Sequence, residues 1–117
     1  MKRKFRLTRS TDFTRVRRTG KSYAHPLMVL ITAPNEMDQV RVGISASHAV
    51  GNAVNRNRAK RRIRACVDNL LPGLKPGWDV VILARAASQA APFEDLLTAL
   101  QQLCYKANLL EKSYERR

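Results

Sequence analysis

The stretch "RVGISASHAVGNAVNRNRAKRRIRA", residues 41–65, changes its period in the middle. Its first part, within "QVRVGISAS" (39–47), alternates apolar and polar residues as a half-buried strand does. Its second part carries six cations in nine residues: Arg56, Arg58, Lys60, Arg61, Arg62 and Arg64. A wheel at about 100° per residue gathers Ala59, Ile63, Cys66, Val67 and Leu70 on one side. Arg56, Asn57, Lys60, Arg61 and Arg64 fall on the adjoining arc. The stretch therefore reads as a strand followed by an amphipathic helix whose basic band lies beside a buried stripe.

Upstream, Ser10 or Thr8 is a plausible N-cap and Asp12 favours a first turn. With Gly20 as a stop, residues 11–19 read as a short helix with Phe13 and Val16 on one side and Arg15, Arg17 and Arg18 on the others. "YAHPLMVLITA" (23–33) is apolar and β-rich, and Pro26 confines its first part to an edge or an irregular start. "PNEMD" (34–38) supplies turn chemistry, so the runs 23–33 and 39–47 are expected to pair as an antiparallel hairpin. Downstream, Pro72-Gly73 and Pro76-Gly77 end the basic helix, and "WDVVILA" (78–84) reads as a strand buried on both faces. Pro92 at a first helical position, Glu94 and Asp95 in the first turn, and Phe93, Leu96, Leu97, Leu100, Leu103, Cys104 and Leu110 at helical spacing mark a last helix. The tail "EKSYERR" (111–117) is expected to fray. The order α-β-β-α-β-α is that of an α+β protein with a small sheet, and 117 residues suit a single domain over 1–117.

Charge points to a partner. Lys and Arg number 22 against 9 Asp and Glu, a formal net charge of +13. Residues 1–64 hold 16 cations and 3 anions, whereas residues 65–117 hold 6 of each. A binding face built from the N-terminal elements follows, with nucleic acid the leading ligand. Cys66 and Cys104 lack any metal-ligand spacing and read as small buried hydrophobes. No apolar run reaches the roughly 18 residues of a membrane span, and "MKRKFRL" leads to no signal-peptide core, so the expected location is the cytoplasm and no membrane is involved.

The basic helix excludes three simpler readings. A solvated face would interleave acids at i, i+4, yet the helix has none before Asp68. A localisation tag needs a flexible run, but these cations alternate with core residues. A membrane-surface helix needs its apolar stripe free, and that stripe is claimed by the core. A polyanion remains, and six cations meeting about six phosphates would give a log-log salt slope of about −4 to −5. No helix-turn-helix pair, zinc finger or heptad zipper is present, which removes the common DNA-reading frameworks. For single-stranded RNA, Phe13 or Tyr23 could supply a stacking platform, or either could serve core or hairpin packing.

These residues resemble a known family. "RVGISASHAVGNAVNRNRAKRRIRA" is similar to the signature of the bacterial ribonuclease P protein subunit, a strand ending in Gly-x-Ser, then Gly-Asn-Ala-Val, Arg-Asn-Arg, Lys-Arg and a further Arg. "FRLTRSTDFTRVRRTG" (5–20) resembles that family's first helix and "WDVVILAR" (78–85) its strand before the last helix, so the likeness covers about residues 4–110. It implies a two-layer sandwich whose small central sheet includes a left-handed βαβ crossover, the topology of the second domain of a small-subunit ribosomal protein. It also implies a small basic protein that partners a large catalytic RNA, binds precursor tRNA and assists endonucleolytic removal of its 5′ leader. Catalysis and the Mg²⁺ ions would then belong mainly to the RNA, with no catalytic residue or metal ligand in the protein and no obligate protein partner evident.

Matched position by position, the resemblance assigns catalytic-RNA contacts to Arg56, Asn57, Arg58, Lys60, Arg61 and Arg64, with Asn52 at the start of the helix. It assigns a leader-binding cleft to Phe13, with Arg17 where a second aromatic is frequent and Ile31 where a tyrosine is frequent. His48-Ala49 stands where Lys-Lys is common. Leader binding here is thus expected to lean on phosphate contacts more than on stacking. Two rival readings are a protein-only basic nuclease using acids such as Asp12 or Asp38, and a ribosome-associated RNA-binding protein of similar fold.

Overall fold

The computed structural model describes residues 1–111; the tail expected to fray lies, after Glu111, outside them. Helix α1 covers Ser10–Thr19, strand β1 Lys21–Ala24, β2 Met28–Pro34, β3 Arg41–Ala46, helix α2 Ala53–Leu70, β4 Trp78–Ala84 and helix α3 Phe93–Lys106. The expected order holds, with the first apolar run delivered as two strands. Pro26 sits in the turn between them, where it donates to no ladder, and the Leu27 amide is bonded instead to His25 Nδ1 at 3.0 Å.

The sheet order is β1-β2-β4-β3. β2 is antiparallel to β4, and β3 is parallel to it, with Arg41 opposite Asp79 and Ala46 opposite Ala84. The hairpin expected between 23–33 and 39–47 therefore does not form. The two runs are antiparallel, but β4 lies between them, so the 35–40 loop crosses about 10 Å of sheet instead of closing a tight turn. The cause is β4 itself: Val80, Val81 and Ile82 are 1–2% exposed, and only the central place covers both faces and pairs both edges of such a run. β3 and β4, joined through α2, form the βαβ unit. On its outer side β3 is extended by the N-terminal segment, whose Leu7 amide bonds the Val42 carbonyl at 2.9 Å.

The sheet carries helices on both faces. On one, Leu30, Val42, Val80 and Ile82 meet Ala59, Ile63, Cys66, Val67 and Leu70 of α2 and Leu96, Ala99, Leu100, Leu103 and Cys104 of α3 in the main core. The five α2 residues are those the wheel grouped. On the other face α1 covers a smaller cluster of Leu7, Val16, Ile31, Ala33 and Val81. Both cysteines are free and buried; burial pushes the Cys66 thiol up to about 11 and the Cys104 thiol up to about 12.

Three helix-end expectations change. α1 begins at Ser10 behind Arg9, whose carbonyl accepts from the Asp12 and Phe13 amides, and no side chain caps it. Pro92 is the N-cap of α3 rather than its first helical residue, and Phe93 is 39% exposed. Leu110 is off the helix: α3 ends at Lys106, Asn108 turns the chain with φ 57°, and Leu110 bridges to Leu74.

Gly20 ends α1 with an ordinary φ of −79°, so its need for glycine is one of space. A Cβ there would stand 2.4 Å from the Val16 carbonyl oxygen and 2.7 Å from that of Thr32, both backbone atoms. Gly20→Ala is expected to destabilise the fold by about 1–3 kcal/mol, read as a lower urea midpoint at unchanged m-value.

Candidate nucleic-acid interface

The start of α2 is built by its polar residues. Ser47 accepts from the Ala49 amide at 3.0 Å and holds a short turn at His48–Val50. Gly51 then adopts φ 131°, and a Cβ there would lie 2.8 Å from the Asn55 amide nitrogen. Asn52 caps the helix, its side chain accepting from the Asn55 N–H at 3.0 Å. The structure thus gives Asn52 a capping role at the place where the resemblance assigned an RNA contact. Arg56 is steered by the same turn, donating to the Gly51 carbonyl at 3.0 Å and lying 3.3 Å from His48 Nδ1.

The remaining cations divide by their angle around the helix. Asn57, Arg58 and Arg61 are exposed, Lys60 and Arg64 are half-buried, and these four cations make no ion pair among the described residues. The Arg64 Nε is shielded from solvent without a hydrogen-bond partner. Arg62, which the wheel leaves off the basic arc, is used internally: its guanidinium donates to the Ser88 carbonyl at 3.0 Å and to that of Ala91. The buried stripe immobilises the helix, so the outward cations form a fixed pattern.

On the opposite face of the sheet, α1 lies across two of its rows. Phe13 rests on β3 at Gly43, where a Cβ would come within 2.4 Å of its ring; only glycine leaves that seat. Asp12 and Arg15, on one flank of α1, face Arg41 and Asp79. Helical spacing puts Phe13 and Arg17 on the other flank. That flank borders a row left open by α1, formed by Ser45, Leu83 and Val29 in register on β3, β4 and β2, all half-buried. Arg17 is exposed there. Ile31 is only 8% exposed, packed beneath α1 beside Gly20, so it supports the cleft from below and offers it little surface. Tyr23 lies on the other face against the main core, with the Lys21 ammonium 5.7 Å from its ring centroid. Of the two candidate platforms, Phe13 alone stands beside the open row.

A feature absent from the sequence reading is the cluster around Asp79. Its side chain is fully buried and accepts from Arg41 Nε at 2.9 Å and Nη2 at 2.8 Å, from Asn35 Nδ2 at 2.9 Å, and from Arg15. Burial raises the Asp79 carboxyl, but the bonds from Arg41 and Asn35, the Arg41 charge and Arg15 outweigh it and hold the group below its ordinary value. The Arg41 guanidinium is raised in return by the bond to Asp79. The available signal was a lone acid beside an apolar run in a chain of only nine acids. No group of three or more His, Cys, Asp or Glu suited to a metal occurs among the described residues, and Asp79 is already saturated by cationic and amide donors. Among the described residues, then, no set of side chains fits a Mg²⁺ site.

Known proteins share this sequence and shape. The family model Ribonuclease P matches residues 1–108. The ribonuclease P protein component of Herpetosiphon aurantiacus is 39% identical over 109 residues, covering 93% of this chain and 89% of the relative. That of Clostridioides difficile is 36% identical over 104 residues, covering 88% and 91%. Among solved structures, the Staphylococcus aureus RNase P protein superposes with a TM-score of 0.82 at 30% identity, covering 92% of this chain and 98% of that one. The Thermotoga maritima RNase P protein gives 0.78 at 27% identity, covering 86% and 96%.

The Asp79 cluster has an acid signature. Because its folded carboxyl titrates below the unfolded value of about 3.9, its contribution is fully present above that pH and is lost as pH falls through the lower folded value. Chemical denaturation between about pH 5 and pH 2 should show wild-type stability falling more steeply than that of Asp79→Asn, with the gap closing toward the acid end.

Proposed function

The chain belongs to the ribonuclease P protein family, and from that membership we propose that it is the protein subunit of a ribonucleoprotein endoribonuclease, binding the catalytic RNA through α2 and the precursor tRNA leader along α1. The observation that carries this reading is the fixed cation pattern of α2: Arg58, Lys60, Arg61 and Arg64, with Arg56 oriented by Gly51, held beside a stripe no more than 5% exposed. Guanidinium groups fork two hydrogen bonds onto phosphate, and a helix whose backbone is already ordered before binding loses less entropy than a flexible run. Asn57 lies exposed within it and adds an amide donor and acceptor.

The second surface is the open row of Ser45, Leu83 and Val29 beside Phe13 and Arg17. It is narrow and half-apolar, suited to an extended single strand whose bases touch the sheet and whose phosphates meet Arg17. With the two surfaces on opposite sides of one sheet, the protein joins the RNA that carries the chemistry to the substrate segment upstream of the cut. Its own part is to neutralise phosphate repulsion and to hold the leader, while the Mg²⁺ ions reside with the RNA. No helix among the described residues is long and apolar enough to cross a membrane, and we place the complex in the cytoplasm as a single folded domain.

Reconstitution with a catalytic RNA of the same source at low Mg²⁺ should raise leader cleavage above that of the RNA alone; no stimulation would refute the reading. Arg58→Ala should weaken assembly with the catalytic RNA and flatten its salt dependence by about 0.7–0.9 in log-log slope, the share of one phosphate contact. Phe13→Ala should leave assembly intact and weaken binding of leader-bearing precursor by about 1–3 kcal/mol. Equal effects of both changes on both measurements would sink the division of labour.

A further inference from the structure

A ten-residue helix is marginal by itself, and α1 is fully buried at Val16 alone. Its seat is set by one anchor on each flank. Phe13 sits over Gly43 on one side, and on the other Arg15 donates to Asp79. Asp79 is sealed from solvent, whereas the Arg15 and Arg41 side chains are 39% and 22% exposed and reach inward to it. One carboxylate thereby collects donors from α1, from β3 and from Asn35 after β2, and Arg15 is the only donor on α1 among the described residues. Asp12 completes the ring, 3.9 Å from Arg15 and 3.8 Å from Arg41.

We propose that Arg15 and Asp79 form a positioning latch that fixes the roll of α1 over the sheet and so sets the gap between Phe13 and Arg17 and the open row of Ser45, Leu83 and Val29. Side-chain tips lie about 5–6 Å from a helix axis, so a roll of about 20° moves them by about 2 Å. That is enough to spoil a stacking or phosphate contact. Arg15 and Asp79 act on the leader through Phe13 and Arg17 and do not touch it; this rests on the leader-binding reading given above.

The test uses the protein reconstituted with its catalytic RNA and precursors bearing either a long leader or a single leader nucleotide. Arg15→Gln leaves Asp79 bonded to Arg41 and Asn35, so the fold is kept, as a thermal melt would check. Expected is a loss of about fivefold or more in the preference for the long leader, with unchanged affinity for the catalytic RNA. In a Phe13→Ala/Arg17→Ala background, Arg15→Gln should have no further effect. An additive loss in that background means that Arg15 contacts the leader directly and overturns the latch. An unchanged leader preference in Arg15→Gln overturns it too, while a loss in Phe13→Ala shows that the leader surface itself stands. If Phe13→Ala/Arg17→Ala also keeps the full preference, the leader surface falls and the latch with it.

Discussion

Everything in this fold follows from the need to bury β4 on both faces and pair it on both edges. A run of Val80, Val81 and Ile82 cannot stand at a sheet edge without presenting a sticky, unpaired backbone. Placed at the centre, it forces the strands that precede it in the chain to lie on either side, β2 antiparallel and β3 parallel. The parallel neighbour can be reached only through a crossover, and α2 is that crossover. Both faces then need cover. The larger is taken by α2 and α3, the smaller by α1, and the basic helices end up on opposite sides of one sheet.

That arrangement also resolves the charge problem. Sixteen cations in the first 64 residues repel one another, and the protein manages them in two ways. Some are turned inward onto oxygen: Arg15 and Arg41 onto the Asp79 carboxylate, and Arg62 onto the Ser88 and Ala91 carbonyls. Most of the rest are turned outward, on elements that the core holds in place. A guanidinium suits both tasks because it stays charged and offers five donors in a fixed fork. A lysine-rich chain of the same net charge could supply the field but not the internal clamps.

Local periodicity made the elements legible, and long-range pairing escaped it. The buried stripe of α2 was readable because five residues at helical spacing leave no other face, and "WDVVILA" was readable as a two-sided strand because it lacks alternation. The false hairpin arose from the same logic applied to neighbours in sequence: two apolar runs around turn residues normally pair, and nothing in 23–47 reveals that the strand starting at Trp78 will come between them. The resemblance supplied the crossover that the pattern could not. The Asp79 cluster was missed because its members are scattered over 15, 35, 41 and 79: the sheet register brings the last three together, and α1 laid across the sheet adds Arg15. Gly43 was missed for a similar reason, since its importance lies in the ring of Phe13 resting on it.

The basic run of α2 is therefore not one signal but several. Arg56, Arg62 and Arg64 share a residue type and lie within three turns of one helix, yet the first is drawn to a turn carbonyl, the second is closed on two loop carbonyls, and the third leaves its Nε without a partner. An unpaired shielded donor costs about 1–3 kcal/mol, whereas Arg62 has met its own needs inside the fold. What separates them is angle: Arg62 falls on the flank facing 86–91, and Arg64 falls on the flank facing away. Counting cations in such a motif overstates the number of phosphates it can reach. The wheel, read against the buried stripe, sets Arg62 apart from the basic arc, but only the turn at Gly51 shows that Arg56 is engaged as well.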